Sequence, residues 1–336
     1  MKKRPLGNTG LTLSVLGFGC GWVGGLMIKG SAADQAHAVV RAQELGINYF
    51  DTAPHYGNGE SERNLGRALA DTGSAGAIVG TKTWVSVPES GPISKAIADY
   101  IDTSIATSLQ LLRRDCVDLL QLHNVLGMRR VGNVLDPATV LGEVVPVFER
   151  LRREGKVRAF GFTGLGETAA TLEIIDSGAM ASVQVVHNML NDSVARTMPL
   201  SYPGQDYGQL LARTQARGVG ALGIRALAGG ALSGSHERHA IALPSVPPLG
   251  SGADYAADVA RAQRLAALVD EGHAATLVEA AMRFATGNPA IASTMLGLSS
   301  LEQLETAAAA VTKGPLSPAA LARLAELQAA FIGEPR

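Results

Sequence analysis

Short apolar runs rich in β-branched residues alternate along this chain with longer segments in which apolar positions recur every three or four residues. The first pattern is typical of buried strands and the second of amphipathic helices. The apolar runs predict strands that end near Phe18, Asp51, Lys82, His123, Thr163, Val186, Gly223 and Met295. Helical spacing predicts helices over 33–45, 61–69, 93–112, 140–153, 168–176, 207–217, 253–285 as a pair, 301–310 and, as an additional C-terminal helix, 318–330. Eight strand–helix units close a barrel, so we expect an α/β fold of the (β/α)₈ TIM-barrel class.

A β-hairpin is predicted ahead of the first unit. The segments 4–6 and 11–13 flank the turn sequence Asn8-Thr9-Gly10. We expect this N-terminal β-hairpin to close the bottom of the barrel. No stretch with the composition of a linker divides the chain, so we expect a single domain over 1–336. Three longer connections follow strands and are expected on the opposite, carboxyl face, where barrels build their sites: 124–139, 188–206 and 226–252.

Composition narrows the classes of function. The chain of 336 residues is 46% hydrophobic, and its 29 Lys and Arg against 30 Asp and Glu leave a net charge of -1. Because no basic stretch stands out, we expect no nucleic-acid partner and no membrane attachment. Cys20 and Cys116 are far apart and lack partners at metal-ligand spacing, so we expect no disulfide and no metal site. The first residues lack the apolar stretch of a signal peptide, and we expect a cytoplasmic protein.

A glycine motif near the first strand matches a dinucleotide-binding pattern without its context. The segment 19–24, GCGWVG, fits G-x-G-x-x-G. That mechanism needs the third glycine to open a helix whose N-terminus receives the pyrophosphate. Here the next helix is predicted only after Ser31, and the acidic residue expected about 20 positions on would be Glu44, inside that helix. We interpret the match as chance, and leave open that the segment lines a site.

Polar residues stand at the ends of three consecutive predicted strands. Asp51, Lys82 and His123 each end an apolar run, and Tyr56 follows in the loop after Asp51. Taken singly, each has a structural explanation: an ion pair, a core histidine, a tyrosine that caps a loop. Buried charges are costly unless they are paired, and the carboxyl ends of barrel strands meet at one mouth. The four together favour an active site.

The chemistry of this set is proton transfer. A phenol with a pKa near ~10 is a poor acid at neutral pH when isolated. Lys82 next to Tyr56 would favour the phenolate and lower the pKa of the tyrosine, with Asp51 holding Lys82 charged. His123 could donate a hydrogen bond to a carbonyl oxygen or help to relay the proton.

In their order along the chain, these motifs resemble the aldo-keto reductase family over nearly the whole length. The matching segments are 6–10, 16–19, 50–53 with Tyr56-Gly57, Ser61-Glu62, Thr81-Lys82, 121–123 and 297–304. The resemblance implies a barrel that binds NADP(H) or NAD(H) across its carboxyl face without a metal. It also implies that Asp51, Tyr56, Lys82 and His123 form the catalytic tetrad.

The resemblance implies a set of cofactor contacts as well. Thr163, Gly164 and Gln184 match positions that hold the carboxamide, although the family usually has Asn where Gly164 stands. Ile224-Arg225 replaces an aromatic that often stacks on the nicotinamide, and Arg225 could pair with a phosphate. The pyrophosphate loop matches Leu227, Gly229 and Leu232, and the segment that holds a 2′-phosphate matches Gly297, Ser299, Ser300 and Gln303. Because this last segment offers no Lys or Arg, we expect both cofactors to be used, with a preference below about a hundredfold.

Candidate substrate contacts follow the strand ends or lie near them: Trp22, His55, Trp84, Asn124 and His187. Core packing is the alternative for both tryptophans. This set suits a sugar, a small polar carbonyl or a flat aromatic aldehyde. We therefore expect an NAD(P)-dependent oxidoreductase that acts on a carbonyl or alcohol. Two alternatives stay open: an NAD⁺-dependent aldose dehydrogenase, and a nicotinamide-binding regulatory subunit resembling the β-subunits of potassium channels. The sequence leaves the oligomeric state open.

Overall fold

Eight parallel strands close into a barrel in the computed structural model, which describes residues 1–74, 76–87 and 93–335. A separate pair, β1 (Lys3–Pro5) and β2 (Thr12–Ser14), precedes them. The barrel strands are β3 (Leu16–Gly19), β4 (Tyr49–Asp51), β5 (Ile78–Thr83), β6 (Val117–Leu122), β7 (Val157–Thr163), β8 (Ser182–Val186), β9 (Gly220–Ile224) and β10 (Ile291–Gly297). The last strand closes the ring, because β10 pairs in parallel with both β3 and β9. The predicted (β/α)₈ barrel is confirmed.

The hairpin formed by β1 and β2 covers the amino ends of the barrel strands. The two strands pair antiparallel, with Lys3 opposite Ser14. Their connection buries Leu6 and Leu11. These leucines and Leu13 pack into one apolar cluster with residues near the starts of barrel strands: Tyr49, Leu119, Ala159, Leu222 and Ala292. The predicted closure of the bottom of the barrel is therefore present, and its physical cause is burial of apolar surface.

Helices surround the barrel. They are α1 (Leu26–Lys29), α2 (Ala32–Glu44), α3 (Glu60–Asp71), α4 (Ile93–Leu112), α5 (Pro137–Thr139), α6 (Val145–Arg153), α7 (Thr168–Ser177), α8 (Leu210–Arg217), α9 (Tyr255–Arg264), α10 (Ala267–Asp270), α11 (Leu277–Gly287), α12 (Leu301–Thr312) and the additional α13 (Pro318–Ala329). A π-helical turn, Val140–Val144, joins α5 to α6, and a 3₁₀ turn, Ala228–Ser233, follows β9. Within the described ranges, none of these helices has both the length and the apolar run that a membrane span requires.

Apart from the single turns α1 and α5, which were not predicted, the helices differ from the predicted ones at three places, each with a local cause. The segment predicted as two helices forms three, because the helical run breaks at 265–266, between α9 and α10, as well as at 271–276, where Gly272 takes a φ of +79°. Helix α8 begins later than predicted, because Gly208 and Gln209 both take left-handed backbone angles. The π-helical turn lies just before Pro146, which lacks the N–H that a regular turn would use.

Candidate active site

A cavity of about 780 Å³ opens at the carboxyl end of the barrel. Its walls come from the ends of β3, β4 and β6 to β10 and from the segments that follow them. Of the four predicted catalytic residues, Asp51, Tyr56 and His123 line the cavity. Lys82 lies directly beneath, because it contacts both Asp51 and the ring of Tyr56. The structure therefore brings the four residues together.

Lys82 and Asp51 form a buried ion pair. The Lys82 Nζ is 2.5 Å from Oδ2 of Asp51, and the two side chains are 1% and 8% exposed. The same ammonium donates to the carbonyl oxygen of Thr52 at 2.8 Å. Burial lowers the pKa of Lys82, but the charges and hydrogen bonds of Asp51 and Tyr56 together outweigh it, and the resulting pKa lies above the usual value. Lys82 is therefore a fixed positive charge at neutral pH.

The other oxygen of Asp51 accepts two further hydrogen bonds. The amide Nε2 of Gln184, on β8, donates to Oδ1 at 2.9 Å. The hydroxyl of Tyr49, on β4, donates to the same oxygen at 3.1 Å. Donors from three strands thus hold this carboxylate, which is the arrangement that a buried charge requires.

Tyr56 lies over the ammonium of Lys82, with 4.9 Å between Nζ and the centroid of the ring. Burial raises the pKa of Tyr56, and the charge of Lys82 opposes this rise. The resulting pKa stays above the usual value for a tyrosine. The sequence-based expectation had the right sign for the effect of Lys82 and omitted the larger effect of burial.

His123 follows β6 at the edge of Tyr56, with 6.0 Å between the ring centroids. Burial, together with the charge of Lys82, lowers the pKa of His123 to about 3. The imidazole is therefore neutral at physiological pH, so it can donate one hydrogen bond but does not act as a cationic acid.

Most of the predicted cofactor contacts line the same cavity. They are Thr163, Gln184, Arg225, Leu227, Gly229, Gly297, Ser299, Ser300 and Gln303. Two others do not. Gly164 packs its backbone against β8. Its N–H donates to the carbonyl oxygen of Gln184, and a Cβ on Gly164 would lie 2.9 Å from that oxygen. Leu232 is fully buried in an apolar cluster.

The start of α12 forms one end of the cavity, and its polar groups bond to one another. Ser300 caps the helix by accepting from the N–H of Gln303. Gln303 in turn accepts from the N–H of Ser299 at 2.8 Å, and the Ser299 hydroxyl donates to the carbonyl oxygen of Gly24. The glycine motif at 19–24 thus supports the cavity wall through Gly24 and is not followed by a phosphate-binding helix N-terminus, since only the single turn α1 follows.

The candidate substrate residues divide into two groups. Trp22 lines the cavity and meets the ring of Tyr56 edge-on at 6.4 Å. His55 and Trp84 pack edge-on against each other at 5.5 Å, and His55 also contacts the edge of His123 at 6.3 Å. Trp22 therefore flanks Tyr56, and His55 flanks His123 with Trp84 against it, although His55 and Trp84 are not among the described residues that line the cavity.

The prediction that Asn124 and His187 contact the substrate is corrected, because the structure does not place them at the cavity. The side-chain amide of Asn124 is hydrogen-bonded to backbone groups. It accepts from the N–H of Val85 and donates to the carbonyl oxygens of Val85 and Asn133. The His187 ring is buried, bonds to Asp192 at 3.1 Å and stacks on Phe284 at 4.8 Å. Both side chains serve to hold loops in place.

Two residues near the cavity were missed from the sequence. Arg238 lines it and donates to the carbonyl oxygens of Gly229 and Val23. Because it lies in an irregular connection, no periodic pattern signals it. Tyr49 contacts Asp51, and a signal existed: residues two apart on a strand point to the same face.

The mouth of the barrel thus holds a buried ion pair, a phenol above it and a neutral imidazole. These groups define a protein that can exchange a proton with an oxygen atom in the cavity. The comparisons agree with this class. The sequence model described as "Aldo/keto reductase family" matches residues 15–329. The chain therefore belongs to the aldo/keto reductase family, as its motifs suggested.

Individual relatives extend the comparison. The chain is 31% identical to L-galactose dehydrogenase of Arabidopsis thaliana over 318 residues, which cover 92% of this chain and 88% of that protein. It is 26% identical to a putative voltage-gated potassium channel subunit beta of Schizosaccharomyces pombe, over 96% and 92% of the two chains. The holo form of the aldo-keto reductase AKR11C1 from Bacillus halodurans has the same fold, with a TM-score of 0.70, 24% identity and coverage of 99% and 96%.

Proposed function

We propose that this protein is an NAD(P)-dependent oxidoreductase that transfers a hydride between the nicotinamide and the carbon of a carbonyl or alcohol. Tyr56 is the general acid in reduction and the general base in oxidation. The observation that carries the proposal is the buried ion pair of Lys82 and Asp51 directly beneath Tyr56 at a cavity of about 780 Å³. Such a phenol is the group that protonates a developing alkoxide.

The residues of the cavity fit a dinucleotide. Gly229 and Gly230 have φ angles of 73° and 113°, which glycine adopts readily, and a Cβ on Gly229 would lie 2.7 Å from Val246. Bare backbone therefore faces the cavity here. Arg238 donates to the carbonyl oxygen of Gly229 at 2.6 Å, and Arg225 Nη1 lies 3.3 Å from the position of that Cβ. Two guanidinium groups beside glycine backbone that lines the cavity match the two charges of a pyrophosphate.

When it is bound, the nicotinamide supplies or accepts the hydride. The chain's own residues handle the proton and the oxygen. Tyr56 gives its proton to the oxygen in reduction and takes it back in oxidation. Lys82 favours the deprotonated phenol and thereby offsets part of the effect of burial. His123, neutral at physiological pH, donates a hydrogen bond to the same oxygen and orients it.

The substrate is a small carbonyl compound or a sugar. Trp22 lies against Tyr56, and His55 lies against His123 with Trp84 beside it. These aromatic and imidazole rings suit an uncharged substrate. Similarity to L-galactose dehydrogenase over 92% of the chain favours a second candidate, oxidation of an aldose with NAD⁺. Similarity to the potassium-channel subunit keeps the third, a regulatory cofactor-binding subunit, in view.

One experiment separates these functions. Turnover is measured with a panel of aldehydes, ketones and aldoses, each with NADPH, NADH, NADP⁺ and NAD⁺, beside the rate of cofactor release. Reduction of aldehydes supports the main proposal, and oxidation of aldoses alone supports the second. Tight binding of cofactor with slow release and no turnover on the panel supports the regulatory subunit. Absence of cofactor binding would contradict all three.

We also propose that residues 1–336 form one domain in a reducing, cytoplasmic environment. The pairing of β3 with β10 supports the first part, since it joins the two ends of the chain in one sheet. The two free cysteines, Cys20 and Cys116, support the second.

A further inference from the structure

Tyr49 occupies the interior of the barrel, directly below the ion pair. It is fully buried and does not line the cavity. Its neighbours in the lower barrel are apolar side chains such as Leu13, Leu119 and Leu222. Its hydroxyl donates to Oδ1 of Asp51 at 3.1 Å.

The neighbouring strands leave space for this ring. A Cβ on Gly80, in β5, would lie 2.5 Å from the Tyr49 hydroxyl oxygen. A Cβ on Gly17, in β3, would lie 3.1 Å from the edge of the ring. A larger residue at Gly80 would thus displace the tyrosine hydroxyl, and one at Gly17 would crowd the ring. The position of the hydroxyl is therefore built into the barrel.

Phenylalanine would fill the same space without a polar atom. A buried hydroxyl in apolar surroundings is costly unless it has a partner, and the partner that the described residues provide is Asp51. Burial and the charge of Asp51 raise the pKa of Tyr49 well above its usual value. The hydroxyl therefore stays protonated and remains a donor at every pH at which the protein works.

We propose that Tyr49 is a positioning residue of the reaction, whose hydroxyl holds Oδ1 of Asp51 and so fixes the carboxylate that pairs with Lys82. This inference rests on the proposed function. Gln184 also donates to Oδ1, but it faces the cavity and is a candidate contact of the cofactor. Tyr49 is out of reach of any bound molecule, so it is the donor that stays with Asp51 throughout the reaction.

The effect on Tyr56 has a definite sign. The negative charge of Asp51 raises the pKa of Tyr56. A hydrogen bond to Asp51 reduces the field that this charge exerts on its neighbours. Loss of the Tyr49 hydroxyl therefore raises the pKa of Tyr56. Other titratable groups face Tyr49, Asp51, Lys82 and Tyr56, and Tyr49→Phe leaves their electrostatic effects unchanged. They are Cys20, Glu62, Asp118, His123 and Arg225.

The test is Tyr49→Phe, which keeps the ring and removes the hydroxyl. We expect kcat to fall by about three- to tenfold and the pH at which alcohol oxidation reaches its plateau to rise by about half a unit. KM and the dissociation constant of the cofactor should stay within about twofold, because Tyr49 touches neither ligand. Tyr202→Phe is the matched control, since Tyr202 is another buried tyrosine, donating to the backbone oxygen of Leu190 at 2.8 Å.

Gly80→Ala gives a second, independent variant that displaces the hydroxyl without removing it. It should raise the same pH midpoint, and in the Tyr49→Phe background it should add no further shift, because the two changes act on one hydrogen bond. An unshifted profile in Tyr49→Phe, or an equal shift in Tyr202→Phe, would overturn the inference.

A titration without turnover separates this inference from the proposed function. Tyrosinate absorbance of the wild type minus that of Tyr56→Phe gives the titration of Tyr56 alone, and the same difference is taken in the Tyr49→Phe background. A higher midpoint in the second difference supports the role of Tyr49 even if the panel shows no activity. Equal midpoints refute it even if the enzyme is active.

Discussion

At the scale of single residues, the site is organised around one carboxylate. Asp51 accepts hydrogen bonds from Lys82, Gln184 and Tyr49, so both of its oxygens have fixed partners. Removing one partner of a buried ion pair leaves an uncompensated charge, which is costly. Changes at Tyr56 and at Lys82 therefore test two different properties, the proton donor and the electric field in which it works.

Tyr56→Phe tests the donor. Loss of the hydroxyl should lower kcat by about a hundredfold or more, the scale of general acid catalysis. The dissociation constant of the cofactor should change little, because the hydroxyl acts on the substrate oxygen. Tyr202→Phe, at a buried tyrosine outside the cavity, controls for the loss of a hydroxyl as such. Near-full activity of Tyr56→Phe would exclude this residue from the mechanism.

Lys82→Met tests the field. The ammonium of Lys82 lowers the pKa of Tyr56 against the effect of burial. Without it, the phenol should deprotonate at higher pH, so the rise of alcohol oxidation with pH should move upward. Lys95→Met is the matched control, because Lys95 pairs with Asp99 on the exposed surface of α4. Superimposable pH profiles for Lys82→Met and the wild type would refute the coupling.

Residue types and strand ends were enough to predict which four residues meet, but not what surrounds them. Asn124 and His187 have the chemistry of substrate contacts, and the sequence does not show that loop backbone and Asp192 already use their polar atoms. Arg238 reaches the cavity through an irregular loop. In both cases the deciding information is a side-chain contact in an irregular segment, which hydrophobic periodicity does not contain.

At the scale of elements, the start of helix α12 forms the part of the cavity that would contact the adenosine end of a dinucleotide. Its capping serine, Ser300, accepts from the N–H of Gln303, and Gln303 accepts from the N–H of Ser299 just ahead of the helix. Among the described residues that line the cavity, the arginines are Arg225 and Arg238, and neither belongs to α12. The first turn of α12 itself therefore offers a 2′-phosphate no Lys or Arg.

Gln303→Arg should shift the preference toward NADPH. The change adds a charge-assisted donor and frees the N–H of Ser299, which now donates to Gln303. The ratio of kcat/KM for NADPH to that for NADH, with one shared carbonyl substrate, should rise by about tenfold. Gln215→Arg, on the exposed side of α8, is the control. An unchanged ratio, or a wild-type preference beyond about a thousandfold, would mean that another residue decides.

Periodicity predicted the barrel because strand and helix periods differ and eight units alternate. It failed where elements are short or set by special backbone angles. Helix α1 has one turn, Leu26–Lys29, and one turn has no measurable period. The start of α8 depends on the left-handed angle of Gln209, which is uncommon for a residue other than glycine.

At the scale of the whole molecule, His123 links the site to stability. The pKa of His123 is about 3 in the folded protein against 6.5 ordinarily, so the unfolded chain binds the proton first as pH falls. The contribution of neutral His123 to the free energy of unfolding is complete above pH 6.5. It is lost as the pH falls below 6.5, at up to about 1.4 kcal/mol per pH unit. Between pH 7 and pH 5, the wild type should lose up to about 2 kcal/mol more free energy of unfolding than His123→Asn.

Urea unfolding at the two pH values measures this difference. His37→Asn, at an exposed histidine of α2, should behave like the wild type. An equal loss in the wild type and in His123→Asn would mean that the imidazole is not held neutral by its surroundings.

The pairing of β3 with β10 also governs the order of events during synthesis. Leu16 leaves the ribosome early but lies opposite Thr294, so the barrel cannot close until nearly the whole chain has been translated. Until then, β3 and β9 are open edges with unpaired backbone groups, which favour pairing with other chains. We therefore expect a chain cut short before β10 to aggregate more readily than the full chain.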